Sequence, residues 1–360
     1  MILRRSSIST LRPQTSRTSG DCAMADRKAG VGFVVTRTPL RVSFAGGGTD
    51  LPGFYERDGG AVLSTTIDKH LYVTVKRHGE LFNEGFRLNY SLTEHVRALD
   101  EIQNHIAREC LRLLHVDPPL YISTVADVPD FSGLGSSSSF AVGLLNALHA
   151  MRGERVSAGQ LAEEASHVEI DILKRPIGKQ DHYAAAFGGV NFFRFLPGGS
   201  VTVESQHLAP GLIERLFDHL LMVWTGIQRD AGVVLSEQNA NISNRLDHLQ
   251  EMREHAEQLQ ALIRNGFSPV EFGRVLDDTW SLKRQLASKI TNDRIDQWYQ
   301  QAKQAGAVGG KICGAGGGGF LLLVTPPDRR DVVRRAVADM TELPIRYEAH
   351  GSRVLLPAGE

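Results

Sequence analysis

The sequence predicts an α+β fold in two domains, and three observations carry that expectation. At 360 residues the chain is long enough for a large core and for two domains. Its strand-like and helix-like stretches mix without the regular strand–helix–strand alternation of a doubly wound parallel sheet. A turn, Pro197-Gly198-Gly199, follows a strand-like run near mid-chain and sets a boundary there, with one domain over 31–197 and a second over 198–360. Residues 1–30 stand apart. Residues 1–20 hold Arg4, Arg5, Arg12 and Arg17, many Ser and Thr, and no acid, a transit-peptide-like composition. With Met24 just before the first folded-looking segment, a disordered tail or an upstream start codon is the preferred reading, and the stretch is excluded from the fold.

In chain order, 31–38 and 40–45 read as two short strands, and 61–66 and 71–77 as two β-branched ones. Helical spacing covers 99–114, with Ile102, Ile106, Cys110, Leu113 and Leu114 as its stripe. A strand over 120–125 leads into a helix over 140–151 that is apolar nearly all round and so buried. Ser157-x-x-Gln160 has capping-box spacing and opens a helix to about residue 173. Pro176 and Gly178 break it, Lys179-Gln180-Asp181 falls on a loop or short turn, 184–187 is a brief helix and 190–195 a strand. The second half starts with strands near 201–204 and 220–225. Helices follow over 236–265, whose charge reads as a solvated face, 270–287 and 293–305. A glycine-rich turn over 309–319 precedes a buried strand, 320–324, then a helix over 328–340 and a last strand over 345–349.

Composition excludes several function classes. A formal net charge of −1 lacks the basic surface that non-specific nucleic-acid binding needs. Cys22, Cys110 and Cys313 are too few and too scattered for a disulfide framework or a zinc site, and they suit a reducing, cytoplasmic compartment. No apolar run is long enough to span a membrane.

The most informative stretch is 129–140, where Gly133 and Gly135 are followed by Ser136, Ser137, Ser138 and Ser139 and then by the apolar helix. Glycines let the backbone approach a phosphate, and the first-turn N–H groups and the helix dipole favour an anion. A well-capped helix needs one serine, and four exceed that need. The glycines of 314–319 match a dinucleotide fingerprint as a string, but they open a strand instead of a helix. Gly310-Lys311 is followed by Ile312 where a P-loop needs Ser or Thr. What remains is a tight turn lying against another segment.

Arg41 precedes Gly46-Gly47-Gly48-Thr49-Asp50, which suits either hydrogen bonding to a polyol or a turn with an Asx motif, about equally. Glu169 and Asp181 could share one site. One would hold Mg²⁺ and the other accept or orient a hydroxyl proton, with Lys179 nearby to keep it ionised. Taken alone, each is more often a solvated helix residue or a loop cap. The histidines, His167 and His182 among them, show no metal-ligand spacing.

Together these stretches resemble the GHMP kinases, the galactokinase, homoserine, mevalonate and phosphomevalonate kinase superfamily. The order matches across residues 33–350: a basic residue and small-residue turn, then Pro-x-x-x-Gly-Leu-Gly-Ser-Ser, then Gly-Ala-Gly-Gly-Gly-Gly. Within it, the segments 38–52, 66–69, 178–189 and 311–320 resemble the bacterial D-glycero-D-manno-heptose 7-phosphate kinases. The resemblance implies a ribosomal S5 domain 2-like N-terminal domain and a ferredoxin-like C-terminal domain, with ATP between them. Gly133, Leu134, Gly135, Ser136, Ser137 and Ser138 would surround the phosphates, and Ser137 and Glu169 would hold Mg²⁺. Asp181 would take or orient the proton of the attacking hydroxyl, Arg41 would sit near the transferred group, and Thr49, Asp50, Gly316 and Gly317 near the sugar.

The implied reaction is transfer to the anomeric C1 hydroxyl of D-glycero-D-manno-heptose 7-phosphate. Its 1,7-bisphosphate product would serve nucleotide-activated heptose for lipopolysaccharide or capsule. The partners would be the sugar phosphate and ATP, with neither nucleic acid nor membrane, and a homodimer is compatible. Lys69, Arg77, Arg87 and Arg175 are the candidates for a substrate-phosphate pocket. The rivals are another sugar-1-kinase of the L-fucose type and a non-catalytic sugar and ATP sensor.

Overall fold

The computed structural model describes residues 32–79, 81–228 and 231–358. The expectations for residues 1–30, Cys22 included, lie outside them. The first half runs β1 (Phe33–Ala45), α1 (Pro52–Asp58), β2 (Gly60–Arg77), β3 (Phe86–Asn89), β4 (Thr93–Val96), α2 (His105–Leu113), β5 (Leu120–Ala126), α3 (Ser136–Met151), α4 (Ala158–Ser166), α5 (Gln180–Phe187) and β6 (Val190–Phe195). The second half runs β7 (Val201–Ser205), α6 (Leu212–Asp218), β8 (Leu220–Trp224), α7 (Ala231–Asn241), α8 (Leu246–Arg264), α9 (Pro269–Lys283), α10 (Asp293–Gln304), β9 (Gly309–Ile312), β10 (Phe320–Val324), α11 (Arg330–Ala336), β11 (Thr341–Glu342) and β12 (Arg353–Ala358). Among the described residues no helix is long and apolar enough to cross a membrane.

The mixed α+β class holds, but the long strands differ from expectation. β1 is one strand of 13 residues where two were expected. It passes through Pro39 because the ladder shifts register between Pro39 and Leu40, so the missing proline N–H falls at an irregularity. Its partner β2 is likewise one strand of 18 residues, long enough for its first part to pair with β6 and its last part with β5. The eight-stranded sheet runs β12-β1-β2-β5-β3-β4, with β6 and β7 continuing from β2. Two segments of the second half, β7 and β12, thus complete the sheet of the first. The expected strand over 345–349 is only a single bridge, Ile67 to Tyr347, and the true last strand is β12.

Other boundaries moved for local reasons. The helix expected over 99–114 begins at His105, because the Asn104 side chain caps it by accepting from the Ala107 N–H. The polar helix over 236–265 breaks at Ile242–Asn244 into α7 and α8. Its α8 part buries Leu249, Met252, Ala256, Leu259 and Ile263 beneath the solvated face. Gly309 and Gly310 belong to strand β9 instead of the turn. A Cβ on Gly309 would lie 1.9 Å from the Gly273 carbonyl oxygen, so glycine lets β9 lie on α9.

The apolar helix α3 is the axis of the first half. It packs on β1 and β2 and is flanked by α2, α4 and α5. Thr36 on β1 donates to the Gly143 carbonyl at 2.9 Å, where glycine lets helix and strand approach. The second sheet, β11-β8-β10-β9, is antiparallel. One apolar cluster joins Val42, Phe44, Leu63 and Phe192 of the first sheet to Phe272, Phe320 and Leu322 of the second half, so the halves share a continuous core.

At the end of β1, Gly46 has φ +88°, and an added Cβ would stand 1.8 Å from the Ala61 carbonyl oxygen. Gly46→Ala is expected to lose more than about 1 kcal/mol of stability. A lower urea midpoint at unchanged slope would show it.

Candidate active site

The stretch between β5 and α3 is a bare helix start. Gly133 and Gly135 have φ +82° and +80°, conformations that side-chain-bearing residues rarely adopt. Gly135 is the N-cap, and no side chain caps the helix, so the serines are not spent on capping. Ser137 Oγ donates to Glu169 Oε1 at 2.6 Å, Ser138 Oγ to Glu169 Oε2 at 3.0 Å, and Ser139 Oγ to the Pro39 carbonyl at 3.0 Å. The first-turn N–H groups have no acceptor within the helix, which suits an anion.

Glu169 stands in a wide π turn, His167–Ile172, that continues α4 and turns the carboxylate toward α3. It is fully buried. Burial pushes its carboxyl up, but the hydrogen bond and charge of His182, the Ser137 hydroxyl and Arg175 together outweigh it and hold the group down at about 2. His182 Nε2 lies 2.9 Å from Glu169 Oε2, a role that sequence spacing had not suggested. Arg175 Nη1 donates both to Glu169 Oε1 and to Ser137 Oγ at 2.7 Å.

Arg41 and Asp181 form a fork-to-fork pair. Arg41 Nε donates to Asp181 Oδ1 and Nη2 to Oδ2, each at 2.7 Å. Asp181, expected on a loop or short turn, lies in the first turn of α5. Lys179 was expected beside it, but that ammonium binds Glu163 and the Gly199 carbonyl, so Arg41 is the cation that faces Asp181. Arg41 Nη1 also donates to the Gly133 carbonyl at 2.7 Å. A Cβ on Gly135 would lie 3.4 Å from both Arg41 Cγ and Asp181 Oδ2, which places the pair against the helix start.

Arg41, Asp181, Glu169, Arg175 and Ser137 line one cavity of about 520 Å³, together with Asp50, Ser136 and Ser138. Asp50 accepts from the Gly48 N–H at 2.9 Å and from Gln180 Nε2 at 3.0 Å, and burial pushes its carboxyl up. Four expected site residues do not line the cavity. Thr49 is fully buried, and its hydroxyl serves the Gly46 and Ala61 main chain, which closes the turn. The Gly317 N–H binds the Ile290 carbonyl and Gly316 packs on the same residue, so both face the second half's core. Leu134 is buried, contributing only its carbonyl, which accepts from the Arg41 N–H. Gly314 instead lies against the helix-start loop, where a Cβ would come within 2.6 Å of Gly133 Cα. The turn pressed on another segment is thus present.

Of the four basic candidates only Arg175 lines the cavity. Lys69 pairs with Asp68, Arg77 binds the Asp117 carbonyl and Arg87 pairs with Glu84. Two lysines that line it were missed, Lys283 at the end of α9 and Lys311 on β9. Lys283 continues the buried stripe of Phe272, Leu276 and Thr279, and a lysine on an apolar stripe was the readable signal.

Glu169 yields a pH prediction. Its folded value lies below the ordinary 4.5, so its contribution is complete above about pH 4.5 and disappears as pH falls toward 2. Glu169→Gln is expected to flatten the acid limb of stability between those values. The difference from wild type in urea titrations should be on the order of 3 kcal/mol.

Comparison with known proteins points to one family. The family model described as GHMP kinases N terminal domain matches residues 95–189, and GHMP kinases C terminal matches 252–342. A D-glycero-alpha-D-manno-heptose 7-phosphate kinase of Campylobacter jejuni is 28% identical over 298 residues, covering 78% of this chain and 86% of that protein. An L-fucokinase/L-fucose-1-P guanylyltransferase of Bacteroides fragilis is 28% identical over 321 residues, 78% of this chain but 33% of that longer protein. Among solved structures, a D-glycero-D-manno-heptose 1-phosphate kinase from Bacteroides thetaiotaomicron superposes with TM-score 0.75 at 23% identity, covering 91% of this chain and all of that one. The two family models follow each other in order and together take in just over half of the chain, which therefore belongs to the GHMP kinases, phosphotransferases with an alcohol group as acceptor.

Proposed function

We propose that this chain is an ATP- and Mg²⁺-dependent sugar kinase that phosphorylates the anomeric C1 hydroxyl of D-glycero-D-manno-heptose 7-phosphate. The observation that carries the reading is the convergence of the bare helix start, the Ser137–Glu169 pair and the Arg41–Asp181 fork on one cavity. The Campylobacter relative supports the choice of sugar, since its name carries that substrate and the match spans most of both chains. The fucokinase relatives support the rival acceptor less well, matching only a third of the Bacteroides protein. A sensor that performs no transfer has no use for an oriented Asp181.

The donor set suits magnesium, which prefers hard oxygen ligands. Glu169 is an ionised carboxylate and Ser137 a hydroxyl, and the Arg175 guanidinium, 39% exposed, bridges both as a cationic stand-in able to swing out. Ser137 and Glu169 would hold the ion, which when bound supplies charge neutralisation at the phosphates. The N–H groups of Ser136, Ser137 and Ser138 bind phosphate oxygens. Phosphoryl transfer has a loose transition state, so positioning and charge do most of the work. Asp181 accepts or orients the hydroxyl proton with oxygens fixed by Arg41, whose charge also lies beside the developing negative charge. Asp50 and Gln180 face the sugar. The two domains span 31–197 and 198–360, with β7 and β12 returning to the first sheet, and the protein works in a bacterial cytoplasm.

A panel of heptose 7-phosphate, free heptose, L-fucose and galactose with ATP, with ³¹P analysis of the product, tests the acceptor. Turnover of fucose without turnover of the heptose phosphate would sink the proposal. Asp181→Asn should lower kcat on the order of 10²–10⁴-fold while nucleotide still binds. Unchanged turnover would remove Asp181 from its role.

A further inference from the structure

Two charged groups of the cavity have no part in that mechanism. Lys283 and Lys311 are 4% and 2% exposed, and among the described residues neither forms an ion pair with a carboxylate. Their ammonium groups bond only to main-chain carbonyls, Lys283 to Gly314, and Lys311 to Ser43 at 2.7 Å and Phe44 at 3.1 Å. An ammonium has three donors, so Lys283 keeps two uncommitted and Lys311 one. Burial, and then the charge of Arg41, draws Lys283 down to about 8. Burial, and then the charge of Lys283, draws Lys311 well below its ordinary range. Asp50 and Asp181 act on Lys283 from the same cavity without pairing with it, and amines this deep with no directly paired carboxylate are costly to charge unless an anion meets them.

A second observation points to the same ligand. Ser43 Oγ and Gln238 Nε2 are buried and have no hydrogen-bond partner, and both residues line the same cavity. Both border the small-residue turn after β1. A Cβ on Gly47 would be 3.6 Å from Ser43 Oγ, and one on Gly48 would be 2.3 Å from Gln238 Nε2. This donor cluster draws on α7, α9, β9 and the end of β1, whereas the Ser137–Glu169–Arg175 group draws on α3 and the segment after α4.

We propose that Lys283, Lys311, Ser43 and Gln238 form a second anion subsite, which holds a phosphate monoester already carried by the acceptor sugar. The inference rests on the sugar-kinase reading above and assigns its specificity for a phosphorylated acceptor. The subsite supplies several donors and two buried amines whose charged forms a phosphate that is dianionic near neutral pH favours, so free sugars leave those amines without that partner.

The test compares KM for heptose 7-phosphate, free heptose and ATP in wild type, Lys283→Met and Ser43→Ala. Ser43→Ala removes a hydroxyl without a partner in the protein, so it should fold normally even if Lys283→Met does not. Lys283→Met is expected to raise KM for the sugar phosphate roughly 30-fold, and Ser43→Ala about fivefold. In both, ATP KM and kcat/KM for free heptose should stay within a few-fold of wild type, and inorganic phosphate should compete with the sugar phosphate more weakly than in wild type. A rise in ATP KM, or equal losses on both sugars, would overturn the assignment and place the cluster on the nucleotide. Wild-type preference for the phosphorylated sugar left intact in Ser43→Ala and in folded Lys283→Met would overturn it alone. A wild type that accepts only unphosphorylated sugars would overturn it together with the proposed substrate.

Discussion

The guanidinium of Arg41 is the constraint on which the rest of the site depends. It sits in β1, grips both oxygens of Asp181 at the start of α5, and binds the Gly133 carbonyl in the helix-start loop. Its own N–H holds the Leu134 carbonyl. Three segments far apart in sequence are thereby fixed by one side chain. The group is buried, so loss of either partner leaves an uncompensated charge, at a cost of about 3–5 kcal/mol. Asp181 therefore has one orientation, and the glycines of the loop are held against it. A second anchor, the Glu169 carboxylate, ties the first turn of α3 to α5 through Ser137, Ser138 and His182.

The second half closes the cavity by backbone contact more than by side chains. Gly314 meets Gly133, and the Phe320 N–H reaches the Ser132 carbonyl, so the turn before β10 leans on the loop before α3. Lys311 answers a defect in β1. The ladder with β2 shifts between Ser43 and Ala45, and the lysine caps the carbonyls of Ser43 and Phe44. Because a common apolar cluster underlies both halves, the two walls of the cavity are held in register.

Much of this was legible in the sequence where the signal is local. Two glycines before four serines and an apolar helix marked the helix-start loop, and the carboxylates Glu169 and Asp181 stood out by their loop and helix contexts. What the spacing could not say is which way a residue faces. Thr49, Gly316 and Gly317 belong to the right turns but point into the protein, because a short turn leaves the facing of each residue to the segments packed around it. Lys179 is two residues from Asp181, and on a helical turn that separation places the side chains on different faces. Lys283 escaped notice since a helical stripe invites attention to its apolar members. The merging of two short strands into β1 depended on a register shift at Pro39, which only the partner strand reveals.

The position of β12 bears on how the chain acquires its structure. Arg353–Ala358 pairs with β1, which opens the described chain, and Ser352 reaches Thr38 and Asn146 with its hydroxyl. Residues 33–37 of β1 therefore have no partner on that side until residues 353–358 have been made. Such an edge is a site for mispairing with a neighbouring chain. The first sheet is complete only once β12 has joined it, so the first half does not reach its full pairing without a strand from the second.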